Sequence, residues 1–289
     1  MKRANNAADQ TSNGYVINQE LVEEMVRLNR QGHFLTEGMG GPLAEQKDLS
    51  GIHDLLDLAC GPGEWVMRVA REYPGKRVVG VDLSERMIEY ASVQAEADDL
   101  NASFRVMDIT KPLDFPTASF DLINARLLQC FLKKDIWVPL LVECLRLLRP
   151  GGIIRLTESE TGFANSPIAD TCADWWIRAL QQTGQAFSVR GQHYFGITPV
   201  MKRLLTSAGY VAPRHVAHAI DYSTGTPAHE SMLEDAITAL KLGAPFLTRL
   251  GIATQAQIKQ AQEQLQALVG KEEFCAYWLL MTVWARKPW

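Results

Sequence analysis

A glycine-rich turn between a predicted strand and a predicted helix is the feature that most restricts the fold of this 289-residue chain. The strand is predicted at about 53–59, the helix at about 64–72, and the turn reads DLACGPG at 57–63. Glycine has no Cβ, so the backbone amides of such a turn can approach a ligand closely. In parallel α/β sheets the turn lies at the carboxyl ends of the strands, where small molecules bind. We therefore expect residues 57–63 to bind a nucleotide-like ligand.

The rest of the chain continues to alternate strands with helices, which is typical of a parallel sheet covered by helices. After the first strand, we predict strands at 77–83, 103–109, 120–125, 153–158, about 210–222 and 274–285. Other helices are predicted at 19–35, 84–97, 134–148, 168–182 and 199–208, with two more within 227–270. The expected fold class is therefore α/β.

Composition argues against several kinds of partner and site. The net charge of −4 gives no electrostatic sign of nucleic-acid binding. The sequence has no apolar run long enough to span a membrane and no apolar N-terminal leader, so we expect no membrane contact and a cytoplasmic location. The five cysteines are scattered without a C-x-x-C pair, which favours reduced thiols over disulfides or a zinc site. His215 and His218 are three apart on a predicted strand and so face opposite sides, and no metal site is expected.

Polar residues stand at the ends of the next three strands. Asp82 ends the second strand, where an acid commonly accepts hydrogen bonds from both hydroxyls of a ribose. Asp108 ends the third and could accept from an adenine amino group, or could instead cap the following turn. Asn124, Ala125 and Arg126 end the fourth strand beside the same crevice. Val66 stands where a dinucleotide fingerprint needs its third glycine, so a ligand with adenosine but no phosphate fits better.

At these motifs the chain resembles the class I S-adenosylmethionine-dependent methyltransferases, particularly the small-molecule group similar to ubiquinone/menaquinone-biosynthesis methyltransferases. The matching stretches occur in family order at 57–63 (DLACGPG), 81–84 (VDLS), 107–109 (MDI), 120–123 (FDLI), 147–152 (LLRPGG) and 284–288 (WARKP). One departure is Ala59, where many members have glycine. The resemblance implies S-adenosyl-L-methionine as the cofactor. It also implies a Rossmann-like sheet of seven mainly parallel strands with an antiparallel last strand, helices on both faces and a helical cap.

We expect a single methyltransferase domain at 15–289, preceded by a polar, disordered tail at 1–14. Its core is predicted at 50–160, 198–225 and 272–289, and the cap elements at 15–45, 161–197 and 226–271. The cap segments can cover the carboxyl edge of the strands, which favours an enclosed and fairly apolar acceptor site.

The resemblance further implies roles for the matched positions. Backbone groups at the glycines would approach the methionine part of the cofactor, Asp82 would bind the ribose, and the residues after the second and third strands would surround adenine. The N-terminal helix would close over the cofactor as a lid. The implied cofactor-binding residues are Tyr15, Arg30, Asp57, Ala59, Gly61, Gly63, Asp82, Leu83, Met87, Asp108, Ile109, Asn124 and Ala125.

Catalytic candidates come from the predicted acceptor side. Glu158 and Glu160 are two apart at the end of the fifth strand, so they share a face and could orient an acceptor or take its proton. A solvated loop acid is the alternative for both. His193 is a candidate base, or else a packed or exposed histidine. Trp175 and Trp176 could line the acceptor pocket or only stabilise the cap.

The expected reaction is in-line displacement of the sulfonium methyl by an oxygen, nitrogen or carbon nucleophile of a small, apolar or aromatic acceptor. Such a reaction depends mainly on alignment and on exclusion of water. A cofactor-bound enzyme of the same fold that does not methylate, such as a cyclase, is the alternative. The identity of the acceptor and the oligomeric state are not determined by the sequence.

Overall fold

The protein is described by a computed structural model that covers residues 17–289. The expected tail at 1–14 and the candidate residue Tyr15 lie outside the described residues, so both stay predictions. The division into core and cap segments is likewise a prediction that the fold alone does not test.

One sheet organises the described residues. Its strands are β1 Asp54–Leu58, β2 Arg77–Asp82, β3 Ala102–Val106, β4 Phe120–Arg126, β5 Leu148–Ser159, β6 Phe163–Ala164, β7 Val211–Asp221 and β8 Ala276–Arg286. The helices are α1 Val22–Gly38, α2 Glu64–Glu72, α3 Glu85–Ala97, α4 Trp137–Leu147, α5 Pro167–Thr183, α6 Met201–Ser207, α7 His229–Arg249 and α8 Gln255–Gln266.

The strand order confirms the expected fold class. Strands β3, β2, β1, β4 and β5 are neighbours in that order and all run parallel. The last strand, β8, lies between β5 and β7 and is antiparallel to both. The two-residue strand β6 was not expected; it pairs with β8 beyond the end of β5. The carboxyl ends of β1 to β5 therefore meet at one edge of the sheet.

Both faces of the central strands are apolar because helices cover both. Leu55, Leu122 and Ile153 belong to a core that includes Trp65 of α2. Their neighbours along the chain point the other way, into a core shared with α4 and α6. This two-sided burial holds the strand ends in place beneath the cap.

Strand β5 begins earlier than predicted. The Pro-Gly-Gly stretch at 150–152, predicted to precede the strand, lies within it at a shift of register. The register moves from Phe120 opposite Leu148 to Leu122 opposite Ile153, and Gly151 has a φ of +76°. The residues at 150–152 therefore form a β-bulge. Proline and glycine are locally unfavourable in a strand, but the pairing of β5 with its neighbouring strand holds them there.

Helices α5, α7 and α8 form a cap with a hydrophobic core of its own. The cap is joined to α1 by three ion pairs, Glu23–Lys241, Arg27–Asp235 and Arg30–Glu234. These ion pairs connect α1 to α7, so the N-terminal helix and the cap are held next to each other.

No helix in residues 17–289 combines the length and the low polarity that a membrane crossing requires.

Candidate functional site

A cavity of about 340 Å³ lies where the carboxyl ends of the strands face α1 and the cap. The predicted cofactor residues that line it are Asp57, Ala59, Gly61, Asp82 and Met87. A smaller recess of about 30 Å³ shares Ala59 and Asp82 with the cavity and is also lined by Leu83, Asp108 and Ile109. The fold thus brings together residues that are up to 52 positions apart in the chain (57 to 109).

The glycine turn has a left-handed backbone conformation at three positions. Ala59, Gly61 and Gly63 all have positive φ angles, +51°, +53° and +83°. A Cβ at Gly61 would have Leu28 of α1 as its nearest described neighbour, 3.9 Å away, so this glycine opens onto the cavity. A Cβ at Gly63 would instead lie 2.7 Å from the Phe104 ring. Gly61 therefore permits close approach of a ligand, whereas Gly63 permits close packing of the helix.

Alanine at position 59 is the departure from the family pattern. Its left-handed backbone conformation costs an L-residue with a Cβ roughly 1–2 kcal/mol. Ala59 still lines the cavity, so this strain does not displace the turn from the cavity wall.

Asp82 is held by the turn from the neighbouring strand. The Gly61 and Ser84 amides each donate a hydrogen bond of 2.9 Å to its carboxylate. The side chain is nearly buried, and burial raises the pKa of this carboxyl above its ordinary value. A carboxylate has about four acceptor positions, so two hydrogen bonds leave capacity for the two hydroxyls of a ribose.

A row of polar side chains crosses the sheet beneath the cavity. Asp57, Asn124 and Arg155 are register partners on β1, β4 and β5. Asn124 donates to Asp57 over 2.7 Å and accepts from Arg155 over 2.7 Å, and Arg155 also pairs with Glu45 at 2.7 Å. Burial raises the pKa of Asp57 to about 7, against the charge of Arg126 and the hydrogen bond from Asn124. The side chain of Asn124 therefore supports Asp57 rather than lining the cavity.

The sequence places Arg126 beside the same crevice but assigns it no role, and in the structure it lines the cavity. It contacts Glu64 at the start of α2 and Thr36 in α1, each at 3.1 Å. The signal was available, because Arg126 is two residues after Asn124 on β4 and so shares its face. This group ties the lid helix to the sheet.

Asp108 has the turn-capping role that the sequence left open. It accepts hydrogen bonds from the Thr110 amide at 2.9 Å and hydroxyl at 2.6 Å, and Lys111 is 3.1 Å away. Burial would raise the pKa of Asp108, but these contacts hold it below its ordinary value. Because it also lines the recess beside Asp82, an ionised acceptor remains available there.

The lid residue Arg30 points away from the cavity. Its side chain is 45% exposed and pairs with Glu234 on the outer side of α7. Arg27, Leu28 and Gln31 line the cavity instead. The reason is geometric, since Arg30 is two residues, or about 200°, further around the helix than Leu28. The period of about 3.6 residues per turn would have allowed the outward orientation of Arg30 to be predicted from the sequence.

Two of the three catalytic candidates are held by hydrogen bonds from the protein, and the third is exposed. Glu158 is buried, accepts from the Leu128 amide at 2.8 Å, and has its pKa raised by burial to about 8. Glu160 lines the cavity, and four donors from residues 195–198 bind its carboxylate at 2.7–3.1 Å. His193 is 81% exposed and lies 3.7 Å from Asp174, outside the cavity-lining residues. Of the three candidates, only Glu160 reaches the cavity.

The cap supplies the wall opposite the glycine turn. Trp176 lines the cavity, whereas its neighbour Trp175 is buried in the cap core. Adjacent helix positions differ by about 100°, so one tryptophan faces the cavity while the other packs inside the cap. Asp235 of α7, which the sequence did not single out, also lines the cavity. Its position depends on a hydrogen bond from Arg27, which is 208 positions away in the sequence, so no local sequence pattern identifies it.

Residues 55–152 match the family model described as a methyltransferase domain. Demethylmenaquinone methyltransferase from Lactococcus lactis is 25% identical over 182 residues, which are 59% of this chain and 70% of that protein. Nocamycin O-methyltransferase from Saccharothrix syringae is 30% identical over 62% of this chain and 66% of its own length. The secondary metabolism regulator laeA from Coprinopsis cinerea is 27% identical over 68% of this chain. The match spans only 50% of that regulator.

Solved structures share the fold at low sequence identity. The YcgJ protein of Bacillus subtilis superposes with a TM-score of 0.55 at 18% identity, over 88% of this chain and 99% of that one. Phosphoethanolamine N-methyltransferase 2 of Haemonchus contortus, solved with S-adenosylhomocysteine, gives 0.53 at 17% identity over 88% and 53% of the two chains. These structures show the fold alone. The methyltransferase-domain match at 55–152 and the two methyltransferase relatives, together with the ordered motifs and the strand order, identify the chain as a class I S-adenosylmethionine-dependent methyltransferase.

Proposed function

We propose that this protein transfers a methyl group from S-adenosylmethionine to an oxygen, nitrogen or carbon nucleophile of a small apolar or aromatic acceptor. One observation carries the proposal. The cavity combines the glycine turn and Asp82 on its sheet side with cap residues such as Trp176 and Leu180 on the other. Cofactor and acceptor would therefore meet in one enclosed space.

The sheet side fits the cofactor. Gly61 leaves room where a side chain would intrude, and Asp82 presents an acceptor at the position of a ribose. Leu83 and Ile109 line the recess, where they can flank an adenine ring, with Asp108 as the hydrogen-bond acceptor. S-adenosylmethionine would supply an electrophilic methyl group on a positively charged sulfur.

Apolar side chains from α1, α5, β8 and nearby loops make the cavity suitable for an apolar ring. Leu35, Phe131, Phe195 and Trp278 line the cavity together with Trp176. These side chains would exclude water and hold the nucleophile in line with the methyl group, which is the main requirement of such a transfer. Because α1 and the cap cover this space, we propose that a small molecule reaches it rather than a nucleic acid or a membrane surface.

We propose positioning roles for two of the acids. Glu160 holds the loop at 195–198, which brings Phe195 to the cavity, and Glu158 holds the chain after β4 through the Leu128 amide. His193 is not part of the proposed site because its side chain is exposed. The five cysteines are all free, which supports a proposed cytoplasmic location.

Product analysis tests the proposal. The protein is incubated with S-adenosylmethionine and a panel of phenols, enols and amines, and S-adenosylhomocysteine is measured by mass spectrometry. We expect its release to depend on the presence of an acceptor that gains one methyl group. Methylation of nucleic acid or protein alone would contradict a small acceptor. Conversion of a compound without release of S-adenosylhomocysteine would favour the non-methylating alternative.

A further inference from the structure

The wall that the cap presents to the cavity is apolar at most of its positions. On α5, Ala173, Trp176 and Leu180 line the cavity at helical spacing. On α7, Asp235 and Ala239 do so one turn apart. Among these five described residues Asp235 alone is charged. A ligand lying against this wall therefore meets one polar side chain in an apolar surface.

Two residues of the lid helix fix the carboxylate of Asp235. Arg27 donates to one oxygen over 3.0 Å, and the Gln31 amide donates to the other over 3.1 Å. The Asp235 side chain is 13% exposed. Each carboxylate oxygen can accept about two hydrogen bonds, so both retain capacity for a ligand donor.

The other cap-side carboxylate has no such capacity. Glu160 accepts from the Phe195 and Gly196 amides at one oxygen and from the amide and hydroxyl of Thr198 at the other. Its four acceptor positions are thus occupied by the protein. Asp235 is therefore the acidic group that the cap offers to an acceptor.

The charges around the cavity disfavour an anion. Among the described side chains that line it, the carboxylates are those of Asp57, Glu64, Asp82, Glu160 and Asp235, and the guanidinium groups are those of Arg27 and Arg126. Both guanidinium groups already pair with carboxylates, Arg27 with Glu24 at 2.7 Å and Arg126 with Glu64 at 3.1 Å. Burial raises the pKa values of Asp57 and Asp82, but even without these two the three other carboxylates outnumber the two guanidinium groups. An acceptor carboxylate or phosphate would therefore lose its hydration in a space of net negative charge.

From this geometry we infer that Asp235 selects the acceptor: a neutral or cationic ring compound whose hydroxyl or amino group donates a hydrogen bond to its carboxylate. Acceptors that carry a carboxylate or phosphate are rejected by the same charge. The inference rests on the proposed function and specifies its substrate class. Asp235 is a specificity residue here and takes no part in moving the methyl group.

Binding of two matched pairs of ring compounds tests the inference without knowledge of the natural acceptor. Phenol is compared with benzoate, and 2-naphthol with 2-naphthoate, by calorimetry on protein saturated with S-adenosylhomocysteine. We expect at least one neutral compound to bind about tenfold more tightly than its anion. In Asp235→Asn this preference should fall to about twofold or less, because the negative charge is gone and Arg27 loses a partner.

Glu234→Gln is the matched control. It removes the same charge from the neighbouring position of α7 and also breaks an ion pair with α1, but Glu234 pairs with the outward Arg30. We expect the control to keep the wild-type preference. Asp235→Glu, which keeps the charge, should keep it too, and this variant tests the inference if Asp235→Asn does not fold.

Three outcomes would overturn the inference. They are equal binding of neutral compound and anion, no binding of any of the four compounds, and an unchanged preference in Asp235→Asn. A loss of S-adenosylhomocysteine affinity in Asp235→Asn but not in Glu234→Gln would also overturn it, since Asp235 would then serve the cofactor. Failure of wild-type protein to bind S-adenosylhomocysteine contradicts the proposed function itself, so the two failures are distinguishable.

Discussion

Asp82 and Glu158 are both nearly buried carboxylates that accept backbone hydrogen bonds, yet only Asp82 lines the cavity. The difference comes from the location of the backbone amide that donates a hydrogen bond to each carboxylate. Asp82 accepts from Gly61, whose backbone borders the cavity, whereas Glu158 accepts from Leu128, which is buried. At the residue scale, burial alone does not show that an acid binds a ligand. The deciding observation is whether its hydrogen-bond partners border the cavity.

Replacing Asp82 by alanine should weaken cofactor binding. The change removes the proposed hydrogen bonds to the ribose and leaves the Gly61 amide without its acceptor. We expect a loss of about 1–3 kcal/mol, or roughly 5- to 150-fold in the dissociation constant of S-adenosylhomocysteine. Calorimetry measures this, with Asp98→Ala at the exposed end of α3 as the control. An unchanged dissociation constant in Asp82→Ala would remove Asp82 from the site.

Glu158 should make stability depend on pH. Its pKa is raised to about 8 in the folded protein, so the folded state keeps a proton that the unfolded state releases above the ordinary value of 4.5. Where the folded state binds more protons, stability falls as pH rises. Between these two values the Glu158 contribution is therefore progressively lost, and Glu158→Gln removes this loss.

Urea unfolding at about pH 5 and about pH 8.5 measures the effect. The free energy of unfolding of Glu158→Gln, relative to that of wild type, should be larger at the higher pH than at the lower pH. Asp57, whose pKa is raised to about 7, changes stability in the same direction but is present in both proteins. The exposed Glu263→Gln serves as control. A difference between Glu158→Gln and wild type that does not change with pH would contradict the assignment.

At the scale of elements, the face that a helix turns inward decides which residues can act. In α1 that face carries Arg27, Leu28 and Gln31, so the predicted Arg30 contact falls on the outside. In α5 it carries Trp176 but not Trp175. The hydrophobic period predicts that these segments are helical, but the packing of each helix against its neighbours sets its rotation about its own axis.

The crossing of α5 and α7 depends on Gly243. A Cβ at this position would lie 2.2 Å from Cη2 of Trp176, the ring that lines the cavity. Alanine gains up to about 1 kcal/mol of helix propensity, but overpacking costs about 1–3 kcal/mol. We expect Gly243→Ala to lower the free energy of unfolding by roughly 1–2 kcal/mol, measured by urea denaturation.

Gly270→Ala is the matched control for this contact. It makes the same chemical change where the new Cβ would meet no described atom within 4 Å. A Gly243→Ala protein as stable as the control would show that Trp176 can move aside without cost.

At the scale of the whole molecule, the cavity lies between two structural layers with separate hydrophobic cores. The sheet and its helices form one layer, and α5, α7 and α8 form the other. A ligand that contacts both layers and α1 should stabilise all of them together. Thermal unfolding is therefore a direct test of which ligand the cavity accepts.

S-adenosylhomocysteine should raise the melting temperature. At about 100 times its dissociation constant a ligand stabilises the folded state by about 2.7 kcal/mol, which for a chain of this size is on the order of 5 °C. NAD should cause no shift, because Val66 interrupts the dinucleotide fingerprint. Scanning fluorimetry measures both. A shift with NAD but none with S-adenosylhomocysteine would contradict the cofactor assignment.

Local sequence patterns were enough to predict the alternation of strands and helices, the glycine turn, the acid that ends β2 and the acid two residues after β3. These features are local, because the hydrophobic period, the turn residues and the strand ends can each be recognised from a few neighbouring residues. The mainly parallel sheet with an antiparallel last strand then followed from the family resemblance. This is why Asp57, Asp82 and Asp108 were predicted to lie at one edge of the sheet, with Arg126 beside the same crevice but without a role.

The side of the cavity proposed to bind the acceptor depends on tertiary contacts that local sequence patterns do not contain. The contact of Arg27 with Asp235 joins residues 208 positions apart, and Trp176 lines the cavity because Gly243 leaves space for its ring. Glu160 was predicted as a possible base, but loop 195–198 occupies its carboxylate. Such relations depend on how amphipathic helices rotate and pack against one another, and a pattern of neighbouring residues does not encode that rotation uniquely.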